Sequence, residues 1–214
     1  MIPGEAPGMD VEAELARLRA EGKLNEVATL AIESYGPDVL GFLAAILRDQ
    51  ADAGDAFAQA CENLWRGLPR FEARSAVKTW FYTLARNAAL RLRGASANHP
   101  HVPLSMVSEL VEQVRSRTAL HLRSQVKSKL TEIRDELDEA DRVLLVLRVD
   151  RGMSWNDIAR VIGASEGGAE DDASDDELAK AAARLRQRFQ TIKKTIRERA
   201  QESGLLDEWL ETDG

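Results

Sequence analysis

Seven cations and four aromatic rings crowd one stretch of this chain. Arg66, Arg70, Arg74, Lys78, Arg86, Arg91 and Arg93 stand against a single acid, Glu72, with Phe71, Trp80, Phe81 and Tyr82 set between them. Cations bind phosphates without reading sequence, and ring faces stack on unpaired bases. Together they suit a surface that holds opened, single-stranded nucleic acid. A plainer account of the rings competes with this one. Val77, Trp80, Phe81, Leu84, Ala88 and Leu92 recur at three- and four-residue spacing, and such a stripe packs a core. Both readings need a helix from Ala76 to Arg93 with Ser75 as its N-cap, entered through a loop marked by Gly67 and Pro69.

The bulk numbers limit the alternatives. A net charge of −7 over 214 residues excludes a generically basic nucleic-acid binder, so any such contact must come from local patches. The chain is 44% apolar, 30% charged and 5% aromatic, and Ala, Leu, Arg and Glu abound, which predicts an all-α fold. The single cysteine, Cys61, has no internal partner, as in a reducing compartment. Neither a leader core nor eighteen consecutive apolar residues is present, so the expected location is cytoplasmic, without membrane insertion. No paired catalytic carboxylates, Gly-rich phosphate loop or Cys/His cluster stands out. His99, His101 and His121 lack ligand spacing. No enzyme, metal or cofactor is expected.

The other elements follow in order. Met1–Gly8 reads as a leader, and Asp10–Glu21 as a short amphipathic helix that docks on the body or on a regulator. Asn25–Asp49 predicts two helical runs broken near Gly36-Pro37. Asp52–Trp65 predicts a third helix, with Asp52 and Asp55 on one face near its N-terminus, where they also suit the macrodipole. Gly94–Ser105 is a linker, and Met106–Leu137 one long helix or two. An apolar helix, Asp138–Arg151, stops at Gly152. Ser154–Ile162 follows with a Ser154/Asp157 capping box, and Gly163–Ser165 turns the chain. After the acidic run Glu166–Glu177, a second box, Ser174/Glu177, starts a helix near Asp175 that runs to about Ala200. Leu178, Ala182, Leu185, Phe189, Ile192 and Ile196 form its seam, and Arg184, Arg186, Arg188, Lys193, Lys194, Arg197 and Arg199 line the rest. Leu205, Leu206, Trp209 and Leu210 suggest a short docking helix at the end.

The wording RFEARSAVKTWFYTLARNAALRLR closely resembles the promoter-melting segment of the extracytoplasmic-function sigma factors, small initiation subunits of bacterial RNA polymerase. Their pattern there is roughly R-F-R-G-x-S-x-x-x-T-W-L-Y-x-I-A-R-N. Arg70, Phe71, Ser75, Thr79, Trp80, Tyr82, Ala85, Arg86 and Asn87 match it. The preceding helix is similar to the family's D-A-E-D-x-x-Q-E-x-F-x-x-x-W, which docks on the polymerase clamp. Asp52, Ala53, Asp55 and Trp65 match; Gly54, Ala58, Gln59 and Cys61 depart, so two carboxylates are missing. Farther on, the chain resembles the family's L-x-L-R-x-x-x-G-x-S-x-x-E-I-A-x-x-L-G-x-S. Leu145, Leu147, Arg148, Gly152, Ser154, Ile158, Ala159, Gly163 and Ser165 match, with Asp157 for the Glu. The family's recognition-helix wording resumes only at Leu185, which implies an acidic insertion at about 168–184.

The resemblance implies two small helical domains joined by a linker: an extension at 1–23, a region 2-like four-helix domain at 24–94, a linker at 95–115, a region 4-like helix-turn-helix domain at 116–201, and a tail at 202–214. It implies core-polymerase contacts at Asp52, Asp55, Gln59, Asn63 and Trp65. Minus-ten contacts would fall to Arg70, Phe71, Ser75, Lys78, Thr79, Trp80, Tyr82, Arg86 and Asn87. Minus-thirty-five contacts would fall to Ser154, Trp155, Arg184, Arg186, Gln187, Arg188, Lys193 and Lys194. The implied partners are polymerase core (β′ clamp and β flap), promoter DNA, and an anti-sigma factor or other regulatory protein. Two other functions fit the residues: a helix-turn-helix regulator acting without core, and a sigma-derived interaction module.

Overall fold

A computed structural model describes residues 10–94, 110–115, 133–163 and 174–202, and among them every regular element is helical. The chain divides into two compact units, Met1–Thr118 with Ala164–Glu170, and Ala119–Gly163 with Asp171–Gly214.

Among the described residues, the first unit is built on four helices and the helical residues 110–115. α1, Val11–Ala20, begins at Asp10, whose carboxylate accepts from Ala13 N at 3.4 Å, and buries Leu15 and Leu18. The sequence leaves its docking partner open; it packs on the body, against α2. α2, Leu24–Leu47, is one continuous helix with Pro37 inside it, which corrects the expected break at Gly36-Pro37. An internal proline costs about 3 kcal/mol. Apolar residues buried on both sides of it, Val27, Ile32, Val39, Phe42, Leu43 and Ile46, offset that cost. α2 is long and apolar enough to cross a membrane, but this face is packed against α3 and α4.

α3, Gln50–Gly67, starts at Asp49, which accepts from Asp52 N at 2.9 Å, and runs into a 3₁₀ turn, Leu68–Arg70. α4, Val77–Gly94, closes the bundle. Ring pairs join the three helices: Phe42 meets Tyr82 edge-on at 5.5 Å between centroids, and Phe57 lies 6.3 Å from Phe81. Cys61 is fully buried, and the loss of hydration pushes its thiol pKa well up, so it is an inert core residue. Residues 110–115, within the expected linker, are helical and bury Val111 and Val114 in this unit.

In the second unit, Asp138 caps α5, Glu139–Leu145, by accepting from Asp141 N at 2.7 Å. The helix then widens into a π turn, Val146–Asp150, with Arg151 N bonded to Val146 O at 3.1 Å. The wider turn keeps Val146 and Leu147 buried and leaves Val149 exposed. α6, Trp155–Gly163, carries the expected box, with Asp157 N donating to Ser154 Oγ at 3.2 Å. α7, Asp175–Glu202, starts where Ser174 and Glu177 exchange bonds of 2.8–3.4 Å. Its seam packs on α6, with Leu178 and Ala182 against Ala159. Residues 175–184, assigned to the insertion, are therefore the first turns of α7. Residues 168–173, the three histidines and the tail at 203–214 lie outside the described residues.

Candidate nucleic-acid interface

The loop between the 3₁₀ turn and α4 is held by α1 and by its own aromatic stack. Phe71 stacks on Trp80, with centroids 4.6 Å apart and planes 24° from parallel. The Arg19 guanidinium sits 5.3 Å from the Phe71 centroid, and its Nη1 donates to Phe71 O at 3.1 Å. Gly67 permits the indole's close approach, since a Cβ there would lie 2.7 Å from Trp80 Cζ2. Ala73 takes a left-handed φ of 59°, where the family pattern has glycine.

Ser75 Oγ donates to Ala76 O at 3.3 Å, so the expected N-cap is corrected. Glu12 of α1 caps the helix instead. Its carboxylate accepts from Val77 N at 3.0 Å, from Lys78 N at 2.9 Å and from the Tyr35 hydroxyl at 2.9 Å. One acid thus satisfies two orphan amides and meets the positive end of the helix dipole. Burial, then the Glu12 carboxylate, pushes the Tyr35 phenol pKa far up, so it stays a donor.

The rings are packing residues. Trp80 is 5% exposed, Tyr82 and Asn87 are 0%, and Phe71 and Thr79 are buried too. This corrects the expectation of ring faces open to bases. The three-four spacing points them at α2 and α3, and bundle packing takes precedence over exposure. Arg70 and Arg74 are exposed, while Ser75, Lys78 and Arg86 are half-buried. Arg74 pairs with Glu72 at 2.7 Å, and Lys78 Nζ lies 5.9 Å from the Tyr35 centroid. Arg93 donates to Ile46 O at 2.6 Å and so also caps α2. The remaining surface is cationic, and its aromatic content supports it from within.

On α3, Asp52, Asp55, Gln59 and Asn63 recur at helical spacing and share a stripe. Asp52 and Gln59 are exposed, and Asp55 and Asn63 half-buried. Gln59 Nε2 donates to Asn63 Oδ1 at 3.2 Å. Glu62, nearly buried on the same side, pairs with Arg66 at 2.6 Å. Trp65 does not join them: its Nε1 donates to Asn25 Oδ1 at 3.1 Å, which ties it to the start of α2.

In the second unit, Trp155 is the centre of a cationic cluster. Arg148 and Arg186 place guanidinium carbons 4.8 and 5.6 Å from its centroid, and Phe189 meets it edge-on at 5.5 Å. Lys193 Nζ lies 5.6 Å from the Phe189 centroid. Ser154, Arg184, Arg186, Gln187, Lys193 and Lys194 are exposed, and Lys194 pairs with Glu198 at 3.7 Å. Arg188 is engaged elsewhere, bonding Asp138 and Asp141 and so tying α7 to α5. The first turn of α7 presents Asp175, Asp176 and Glu177.

Sequence reasoning gave no role to Glu12, Arg19, Tyr35 or Arg148. The partners of the first three lie 23–66 residues away along the chain, and nothing local announces them. Arg148 stood in the resemblance as a matched residue, without a role.

Two comparisons with known proteins bear on this arrangement. Residues 31–97 match the family described as sigma-70 region 2, a span that takes in most of α2 and all of α3 and α4. The chain is also similar to the RNA polymerase sigma-H factor of Pseudomonas aeruginosa, at 27% identity over 143 residues, 62% of this chain and 73% of that protein.

Proposed function

We infer that this chain, with sigma-70 region 2 at residues 31–97, is an RNA polymerase sigma factor, a protein of transcription initiation rather than an enzyme. We further propose that it is of the extracytoplasmic-function type and works in the cytoplasm with polymerase core. The stripe Asp52, Asp55, Gln59 and Asn63 docks on the β′ clamp, and the second unit reaches the β flap. The cations of the loop and α4, Arg70, Arg74, Lys78 and Arg86, hold the minus-ten strand once it has left the duplex. Phe71 and Trp80 support that grip from below, by fixing the loop's shape. In the second unit, Trp155, Arg184, Arg186, Gln187, Lys193 and Lys194 grip the minus-thirty-five duplex, chiefly at phosphates, because the acids that open α7 are repelled by them.

The observation that carries this reading is the coincidence of the region 2 match with a bundle whose exposed loop is cationic. The test is run-off transcription from a random promoter library by purified bacterial core with and without the chain. The expected result is a set of transcripts with a common minus-ten sequence that requires the chain. Tight duplex binding without core, and no transcripts, would favour a stand-alone helix-turn-helix regulator.

A further inference from the structure

The chain departs from the clamp-docking pattern most sharply at Gly54 and Ala58, where the pattern has an acid and an amide. These two positions lie one turn apart on α3 and share a face. Helical residues 110–115 lie against this face at Gly54. A Cβ at Gly54 would stand 2.5 Å from Arg115 Nη2, 2.8 Å from its Cζ and 2.9 Å from its Nε. The guanidinium therefore lies where a side chain at 54 would begin. Across the groove, a Cβ at Gly36 of α2 would meet Val114 Cγ1 and Phe57 Cζ, both at 3.2 Å. Val111 and Val114 are 4% and 5% exposed, and Gly54 is itself buried. One glycine on each helix thus opens a notch, and the segment fills it with a valine on one side and an arginine on the other.

We propose that this notch is a docking site for the chain's own segment 110–115, and that the segment competes there with the polymerase clamp. The inference rests on the reading of α3 as the core-binding helix. The docked segment sets a guanidinium against Gly54, in the turn of α3 that lacks the pattern's acid. Polymerase must displace it to reach that turn. The described part of the contact includes two buried valines and one partly exposed guanidinium. Because the segment belongs to the same chain, it rebinds at high effective concentration and holds the face closed until core is present. If the face is open a tenth of the time, the apparent affinity for core is about tenfold weaker than the intrinsic one.

The experiment measures core binding by fluorescence anisotropy of the labelled full chain, with amide hydrogen exchange reporting release of 110–115. Val114→Glu is expected to abolish protection at 110–115 and to tighten core binding by about tenfold. Val114→Ala is expected to do the same to a smaller degree, and serves if the glutamate variant fails to fold. Loss of protection with unchanged or weaker core binding would overturn the competition and leave the segment a simple part of the fold. Asp55→Arg tests the underlying reading separately and is expected to weaken binding. If it does not, α3 is not the docking helix and the proposal falls with that reading. If it does and the Val114 variants bind no tighter, the competition alone falls.

Discussion

Replacing Glu12 with alanine removes a side-chain cap of α4, from a position 65 residues away in sequence. The carboxylate holds two backbone amides, at 3.0 and 2.9 Å, and the Tyr35 hydroxyl at 2.9 Å, in a partly buried setting. Loss of an N-cap costs about 1 kcal/mol, and bonds to a charged acceptor are worth roughly 1.5–3 kcal/mol. Water reaches the freed amides in part, so the net cost should be about 2 kcal/mol. For a unit of about 100 residues that lowers Tm by roughly 8–16 °C. Glu12→Gln keeps one acceptor oxygen and loses the charge, and should fall about halfway. Asp10→Ala, which removes an exposed 3.4 Å cap, should cost only about 0.5 kcal/mol. Calorimetry on the intact chain resolves the transition of the first unit. Adding Ala76→Asp to Glu12→Ala supplies a local cap and should recover about 1 kcal/mol. Equal effects of the position 10 and position 12 changes, or no recovery, would refute the assignment of Glu12 as the cap.

Three other outcomes follow from particular side chains. Ala73→Gly relieves a left-handed φ of 59° and should raise the first unit's stability by about 0.5–1 kcal/mol, read as a higher denaturant midpoint. The raised Tyr35 pKa means the folded unit holds that proton more tightly than the unfolded chain. Its contribution is therefore complete below the ordinary tyrosine pKa of about 10 and is lost as pH rises beyond it. Tyr35→Phe should flatten part of the alkaline decline in melts from pH 8 to 11. In duplex-binding titrations, Arg186→Ala and Lys193→Ala should each reduce the salt slope by about 1. Arg188→Ala should leave that slope alone and destabilise the second unit, because its guanidinium is joined to Asp138 and Asp141.

What the chain reveals without coordinates is what its local chemistry decides. The boxes at Ser154/Asp157 and Ser174/Glu177 are three-residue interactions, and both form. The seam of α7 is periodic, and Leu178, Ala182, Phe189 and Ile192 are buried along it. The break at Pro37 does not form, since a proline's local cost is outweighed by tertiary burial that the residue itself does not signal. Ser75 has the right type and position for a cap, but a distant carboxylate fits two amides better. The rings at Trp80 and Tyr82 were legible both as a base-stacking platform and as a core stripe. Only the positions of α2 and α3 decide for the core. The glycine at 54 was visible as a departure, and the side chain that lies against it, Arg115, is 61 residues on.

The central proposal is that strand opening falls to a cationic loop that buried rings support. The most direct measurement is the fluorescence of 2-aminopurine placed in the minus-ten element of a library-selected promoter, followed with core alone, with core and the chain, and with core and Arg70→Ala/Lys78→Ala. The expected result is a rise in fluorescence only when core and the unaltered chain are both present. With the doubly altered chain the rise should fall by tenfold or more, while core binding is unchanged. Equal opening by the altered chain, or none by the natural one, would contradict it.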